Sequence, residues 1–342
     1  MKNTKYNNAR GKDGQKEVGE MKRIKLHTWL ILLMLSLTVF LRGKVAFAEN
    51  IDPYDDDSQY AYGENVGWLN AEPLGDGGPG VAVEDTKLTG YIWAENIGWI
   101  SLACENTGSC GTVNYGVTND GSGNLSGYAW GENVGWMSFS CENTGSCGTV
   151  DYGVTIDPIT GAFNGHAWGE NIGWVTLRST APVPFGVITS WMSVPINLPP
   201  GWSMISLPVD PTDKRPKTLF PGAAVVYGYE KGTGYVRVGD NDNLAVGRGY
   251  WILLNQDASY TLTGDRIPSY THPASSDGWA MIGGCTDPAQ VIPHGCHVGV
   301  IYGYAQGAGY QRVTGQLEAG KGYWILLNNV DTGGTISVEV VD

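Results

Sequence analysis

Charged side chains are scarce in this 342-residue chain, at 16%, and basic ones scarcest, with 21 Lys and Arg against 34 Asp and Glu. So little charge excludes a coiled coil, a helical solenoid and a disordered tail. Recognised catalytic motifs are missing too. There is no Gly-x-Ser-x-Gly elbow, no His-Glu-x-x-His and no dinucleotide fingerprint after a strand. Gly315 to Gly322 approaches a phosphate loop but lacks its final Ser or Thr, and Gly247-Arg-Gly249 fills the same place in a sister segment. What is abundant is Gly, at 50 residues, and Trp, at 13. Gly penalises helices, while Trp and Tyr favour short packed strands joined by tight turns, so the expected class is all-β.

From Met21 the chain reads as a secretory signal, with Lys22, Arg23 and Lys25, an apolar run from Trp29 to Leu41, and Ala46-Phe47-Ala48 as cleavage site. The run ends at Arg42, short of the roughly 20 residues of a spanning helix. Cleavage after Ala48 and a secreted or cell-surface location are expected, with no membrane span in the mature chain. Residues 49 to 342 then hold 11 basic and 31 acidic side chains, a net charge of −20. Such a surface repels nucleic acid.

One motif occurs four times: Tyr60 to Trp68, Tyr91 to Trp99, Tyr128 to Trp136 and His166 to Trp174, each containing Glu-Asn-(Val/Ile)-Gly-Trp. A period in this range means stacked or radially arranged units that cannot bury their apolar faces alone. Each full unit is expected to hold about three antiparallel strands, as at Gly116 to Phe139. Its paired aromatics are Tyr62 and Trp68, Trp93 and Trp99, Trp130 and Trp136, and Trp168 and Trp174, six residues apart. On one continuous strand that spacing puts them on one face; if Gly-Glu-Asn-Val-Gly is a hairpin loop they become cross-strand neighbours, again on one face. Burial of this ladder between repeats, with Glu and Asn capping loop backbone, is the expected arrangement. The alternative is a ligand platform of Trp93, Trp99, Glu95, Trp130, Trp136, Glu132, Trp168, Trp174 and Glu170, suited to sugar rings. His166 takes the place of the repeat Tyr and is expected as a variant core position.

A second duplication follows a Pro-rich segment. Gly201 to Ile205 matches Gly278 to Ile282, Val225 to Tyr229 matches Val300 to Tyr304, and Gly249 to Asn255 matches Gly322 to Asn328. The organisation expected is an upstream segment and signal over 1–48, a repeat domain over 49–180 and a linker over 181–200. Two copies of a small sandwich- or barrel-like β module follow over 201–265 and 266–342, packed as a pseudo-symmetric pair sharing a core.

The Trp-(Gly/Ala)-Glu-Asn-(Ile/Val)-Gly-Trp units resemble repeats of large secreted or surface proteins of bacteria. Gly201 to Val209 and the Gly-Tyr-Trp segments are similar to modules at the C-terminal ends of such proteins, although Gly283-Gly284-Cys285 stands where the first copy has Ser206-Leu207-Pro208. The resemblance implies an extracellular repeat protein and brings no catalytic residues.

Six Cys after a signal point to disulfides, and repetition selects local pairs: Cys104 with Cys110, Cys141 with Cys147, and Cys285 with Cys296. Pairing between repeats, such as Cys104 with Cys141, is the competitor. Cys285, His294, Cys296 and His297 lack a regular zinc spacing. Asp52, Asp55, Asp56 and Asp57, and the run Asp240 to Asn243, read as solvated turns, with weak structural calcium as the alternative; no cofactor is expected. The function expected is a non-catalytic structural or adhesive role, with an extracellular protein or polysaccharide as partner. Carbohydrate binding by the Trp ladder is the alternative.

Overall fold

The computed structural model describes residues 49–341 apart from 75–78 and 275, so the expected signal segment lies outside the described residues. The fold is all-β, built of antiparallel sheets. Each Trp motif is a hairpin: Tyr60–Gly63 with Gly67–Asn70, Tyr91–Ala94 with Gly98–Ser101, Leu125–Gly131 with Gly135–Ser138, and Phe163–Gly169 with Gly173–Thr176. The loop is a tight turn, with Val66 N–H donating to Gly63 O, followed by Gly67 at φ 79°. Only Gly takes that backbone without strain, which explains the last Gly of the motif.

The hairpins pair side by side, first with second, second with third, third with fourth. The fourth then pairs with the first, through Tyr62 opposite Thr176 and Gly63 opposite Val175, so eight strands close into a barrel with no free edge. Its interior is narrow. In three hairpins an Ala faces a larger partner across the pair, Ala61 with Leu69, Ala129 with Met137 and Ala167 with Val175, and all are buried. Such small-to-large alternation fills a small barrel. A cavity of about 20 Å³ beside Leu69, Ile92 and Phe139 is too small for an internal ligand.

One end of the barrel is covered by the Val-containing strands that precede the hairpins, such as Val117–Asn119 and Val154–Ile156. Strand Leu125–Gly131 serves both layers, pairing through Ser126 with Val117–Asn119 and through Ala129 with Gly135–Ser138. It bends at Gly127, φ 87°, where an added Cβ would lie 2.1 Å from Gly116 O. The first hairpin has no such strand before it. Residues after the fourth hairpin supply it: Val187 bridges Gln59, and Ile188 N–H donates to Ser58 O.

That return corrects the expected linker at 181–200. Residues 185 to 189 belong to the barrel domain, Trp191 is buried in its core, and Trp191–Leu198 is a strand paired along its length with Ala258–Arg266. Proline does not exclude this, because the Trp191–Leu198 strand lies at a sheet edge, where a missing N–H can face solvent. The barrel passes directly into the first module, with Asp265 accepting from Asn50 Nδ2 at 2.7 Å and Ser190 Oγ at 2.6 Å.

Each C-terminal module places a three-stranded sheet beside a four-stranded one over its own core. The duplication therefore begins before the recognisable repeat, at Trp191–Leu198 in one copy and Ser269–Pro273 in the other. The modules share a smaller core of Met204, Trp251, Met281 and Trp324. No helix among the described residues is long and apolar enough to cross a membrane.

Candidate functional site

The hairpin register makes the paired aromatics cross-strand partners, Tyr62 opposite Trp68, Trp93 opposite Trp99, Trp130 opposite Trp136 and Trp168 opposite Trp174. They point out of the barrel. Trp68, Trp93, Trp99 and Trp136 are 48, 36, 42 and 41% exposed, while Trp130, Trp168 and Trp174 are half-buried. This overturns the expected burial of the ladder. The alternating residues, Leu69, Ile100, Met137 and Val175, face inward instead. His166 is likewise exposed, its Nδ1 3.1 Å from Thr176 Oγ1, and not a core position.

The first aromatic of each pair meets a small polar residue of the neighbouring hairpin: Asn70 opposite Trp93, Ser101 opposite Trp130, Ser138 opposite Trp168 and Thr176 opposite Tyr62. Within a hairpin the rings pack at 4.8 Å for Trp93 and Trp99 and 4.6 Å for Trp130 and Trp136. Glu64, Glu95, Glu132 and Glu170 are exposed at the hairpin tips. The adjacent Asn residues are engaged, since Asn133 Nδ2 donates to Ile97 O at 3.0 Å in the preceding hairpin.

Two disulfides form as expected, Cys104 with Cys110 and Cys141 with Cys147. Each closes a loop held to the barrel by its Asn. Asn106 accepts from Gly90 N–H at 3.2 Å and donates to Gly90 O at 2.6 Å, and Asn143 does the same to Gly127 at 3.0 and 2.7 Å. The loop then sends a Tyr over the next hairpin. Tyr115 packs edge-on against Trp136 at 5.4 Å and donates to Ser101 Oγ at 3.0 Å, and Tyr152 repeats this with Trp174 and Ser138.

The result is an open groove of about 860 Å³ between the second and third hairpins. Tyr91, Trp99, Tyr115, Trp130 and Trp136 supply its rings, and Ser101, Thr107, Glu132 and Asn133 its polar groups. Burial, and then the nearby Tyr115, push the Tyr91 phenol above its usual pKa, so it remains a neutral donor, to Asn106 O at 2.8 Å. Of the proposed platform residues, Trp99, Trp130, Trp136 and Glu132 come together here. Trp93 and Glu95 lie on the same outer wall outside the groove, and Trp168, Trp174 and Glu170 occupy the equivalent positions one hairpin on. The motif did not mark Tyr115 and Tyr152, although a signal was present: each stands five residues after the second Cys of its loop.

Cys285 and Cys296 are not bonded to each other, which corrects the third expected pair. Cys285 Sγ lies against Val338 O and Cys296 Sγ against Thr335 O. Three residues along one strand separate those carbonyls by about 10 Å, too far for a disulfide. Asp52 turns its carboxylate to its own loop, accepting from Asp56 and Asp57 N–H at 3.1 Å and from Ser58 Oγ at 2.8 Å. No protein-family model matches the chain, and no curated protein or solved structure does.

Proposed function

We propose that this is an exported, non-catalytic adhesive protein of the bacterial cell surface or extracellular matrix, attached to polysaccharide through the outer wall of its barrel. The observation that carries the reading is the outward orientation of the Trp pairs. Indole faces stack on the apolar faces of sugar rings, and Thr107 and Glu132, both exposed, stand beside them to meet hydroxyls. The signal-like segment ending at Ala48 and the resemblance to surface proteins support export. Glu64, Glu95, Glu132 and Glu170 sit in equivalent exposed settings, whereas glycoside hydrolysis needs two carboxylates in different environments. The acidic surface favours neutral sugars or amino sugars over uronic acids.

Titrating the full chain with neutral, amino-sugar and uronic-acid oligosaccharides, followed by Trp fluorescence, tests this. A saturable shift with a neutral or amino-sugar oligomer is expected, weakened about tenfold or more by Trp136→Ala. Indifference across the panel, or binding untouched by that substitution, would return the barrel to a purely structural role.

A further inference from the structure

The seam between the C-terminal modules is faced with aromatic rings that the barrel groove does not involve. Trp202, Tyr227, Tyr235 and Trp251 of the first module and Tyr304 of the second line an open cup of about 480 Å³. Duplication supplies the counterpart set, Trp279, Tyr302, Tyr310, Trp324 and Tyr229. The geometry repeats across the pseudo-twofold axis. Trp251 and Tyr304 lie 4.8 Å apart at 70°, and Trp324 and Tyr229 4.7 Å apart at 74°. Trp202 and Trp251 lie 6.2 Å apart at 88°, and Trp279 and Trp324 6.2 Å apart at 86°. Trp251 and Trp324 are buried and hold the modules together, whereas Trp202, Trp279, Tyr235 and Tyr310 are exposed. In the cup, Trp202 and Tyr235 are the rings with surface open to solvent.

Three features select its chemistry. The rings stand at 42 to 88° to one another, so a guest is surrounded by faces and edges and not laid on one flat platform, which disfavours a sugar. The lining holds no Asp, Glu, Asn or Gln to read hydroxyl groups, and no Lys or Arg to repel a positive charge. The chain is acidic, with net charge −13, which concentrates cations at its surface. A quaternary ammonium group suits all three: it needs no hydrogen-bond partner and is attracted by the ring quadrupoles. We propose that the aromatic cup of Trp202, Tyr227, Tyr235, Trp251 and Tyr304 at the module seam binds a quaternary ammonium group of the choline type.

The test titrates the full chain with tetramethylammonium, with choline and with the neutral tert-butyl analogue of choline, by calorimetry and Trp fluorescence. One site per chain is expected for choline, with the neutral analogue weaker by about tenfold or more. The variant Trp202→Ala should abolish binding with an unchanged far-ultraviolet spectrum. Should it misfold, Tyr235→Leu at an exposed position should weaken binding while Trp202→Phe, which keeps a ring, retains most of it. Equal affinity for the neutral analogue, absence of ammonium binding, or tighter binding of a proline-rich peptide or an oligosaccharide at these rings overturns the proposal.

Discussion

The side-chain amide of Asn65 donates to the backbone carbonyl of Ile172, 3.1 Å away and 107 residues distant in sequence. It is the same joint that Asn96 makes to Val66 O, Asn133 to Ile97 O and Asn171 to Val134 O, each at 3.0 Å. The four hairpin tips are thus linked in a ring in which the meeting of first and last repeats is equivalent to the three internal joints. The repeated Asn is a structural residue.

Asn65→Ala and Asn133→Ala should therefore cost similar stability, about 1 kcal/mol each, the usual net worth of one hydrogen bond. Urea unfolding of the two variants checks this. A loss at Asn133 with silence at Asn65 would show that the seam is held by other means.

Two thiols should be countable in the denatured chain and neither in the native one. Burial, with smaller contributions from Asp287 and Glu339, pushes the Cys285 thiol up to about 12, so almost no thiolate exists at neutral pH. Non-reducing peptide mapping should find Cys104 linked to Cys110 and Cys141 to Cys147, with Cys285 and Cys296 alkylated only after unfolding. A peptide joining residues 285 and 296 contradicts the structure.

Gly127→Ala should lower stability by about 2 kcal/mol or more, because its Cβ would lie 2.1 Å from Gly116 O at a backbone φ of 87°. Gly145→Ala is the control. It shares a positive φ, 65°, but its Cβ would meet nothing within 4 Å, so only the backbone strain remains. The difference between the two thermal midpoints reads the close approach.

Stability should fall in two separate acid windows. Burial, and then the charge of Arg248, hold the His272 imidazole below its usual pKa. The unfolded chain binds this proton first, so stability is full above about pH 6.5 and declines as the pH drops through that value. Asp157 is held below the usual carboxylate range by the N–H groups of Thr160 and Ile159. Its contribution is present above about pH 4 and lost below it. His272→Gln should flatten the first window and leave the second, as read from denaturation midpoints across pH.

The hairpin register was one of two readings that the aromatic spacing left open, while the strands and two of the disulfides were legible because they are local: turn residues separate the short apolar runs, and each Cys pair lies within one loop. Which face of the hairpin turns inward was not. The aromatics and the aliphatics alternate in the same strands, and parity alone leaves the choice open. Closure decides it, because a ring of eight strands has room for Ala61, Ala129 and Ala167 but not for seven indoles. The return of residues 185 to 189 to the first hairpin escaped for a related reason: the pairing is non-local and begins in a segment whose prolines suggest a linker. Cys285 and Cys296 were misread because the strand Ala289–His294 lies between them and runs along Thr335–Val340, leaving one thiol at Val338 and the other at Thr335.

Closing the barrel also fixes its copy number. An open solenoid lengthens when a unit is duplicated, since each end accepts another copy on the same terms. Here a fifth hairpin would have to break an Asn joint, enter the ring and widen it, and the alanines that fill an eight-stranded interior would then line a void. Growth of such a chain has to take place outside the ring, and a duplication of another kind is found in the residues that follow it.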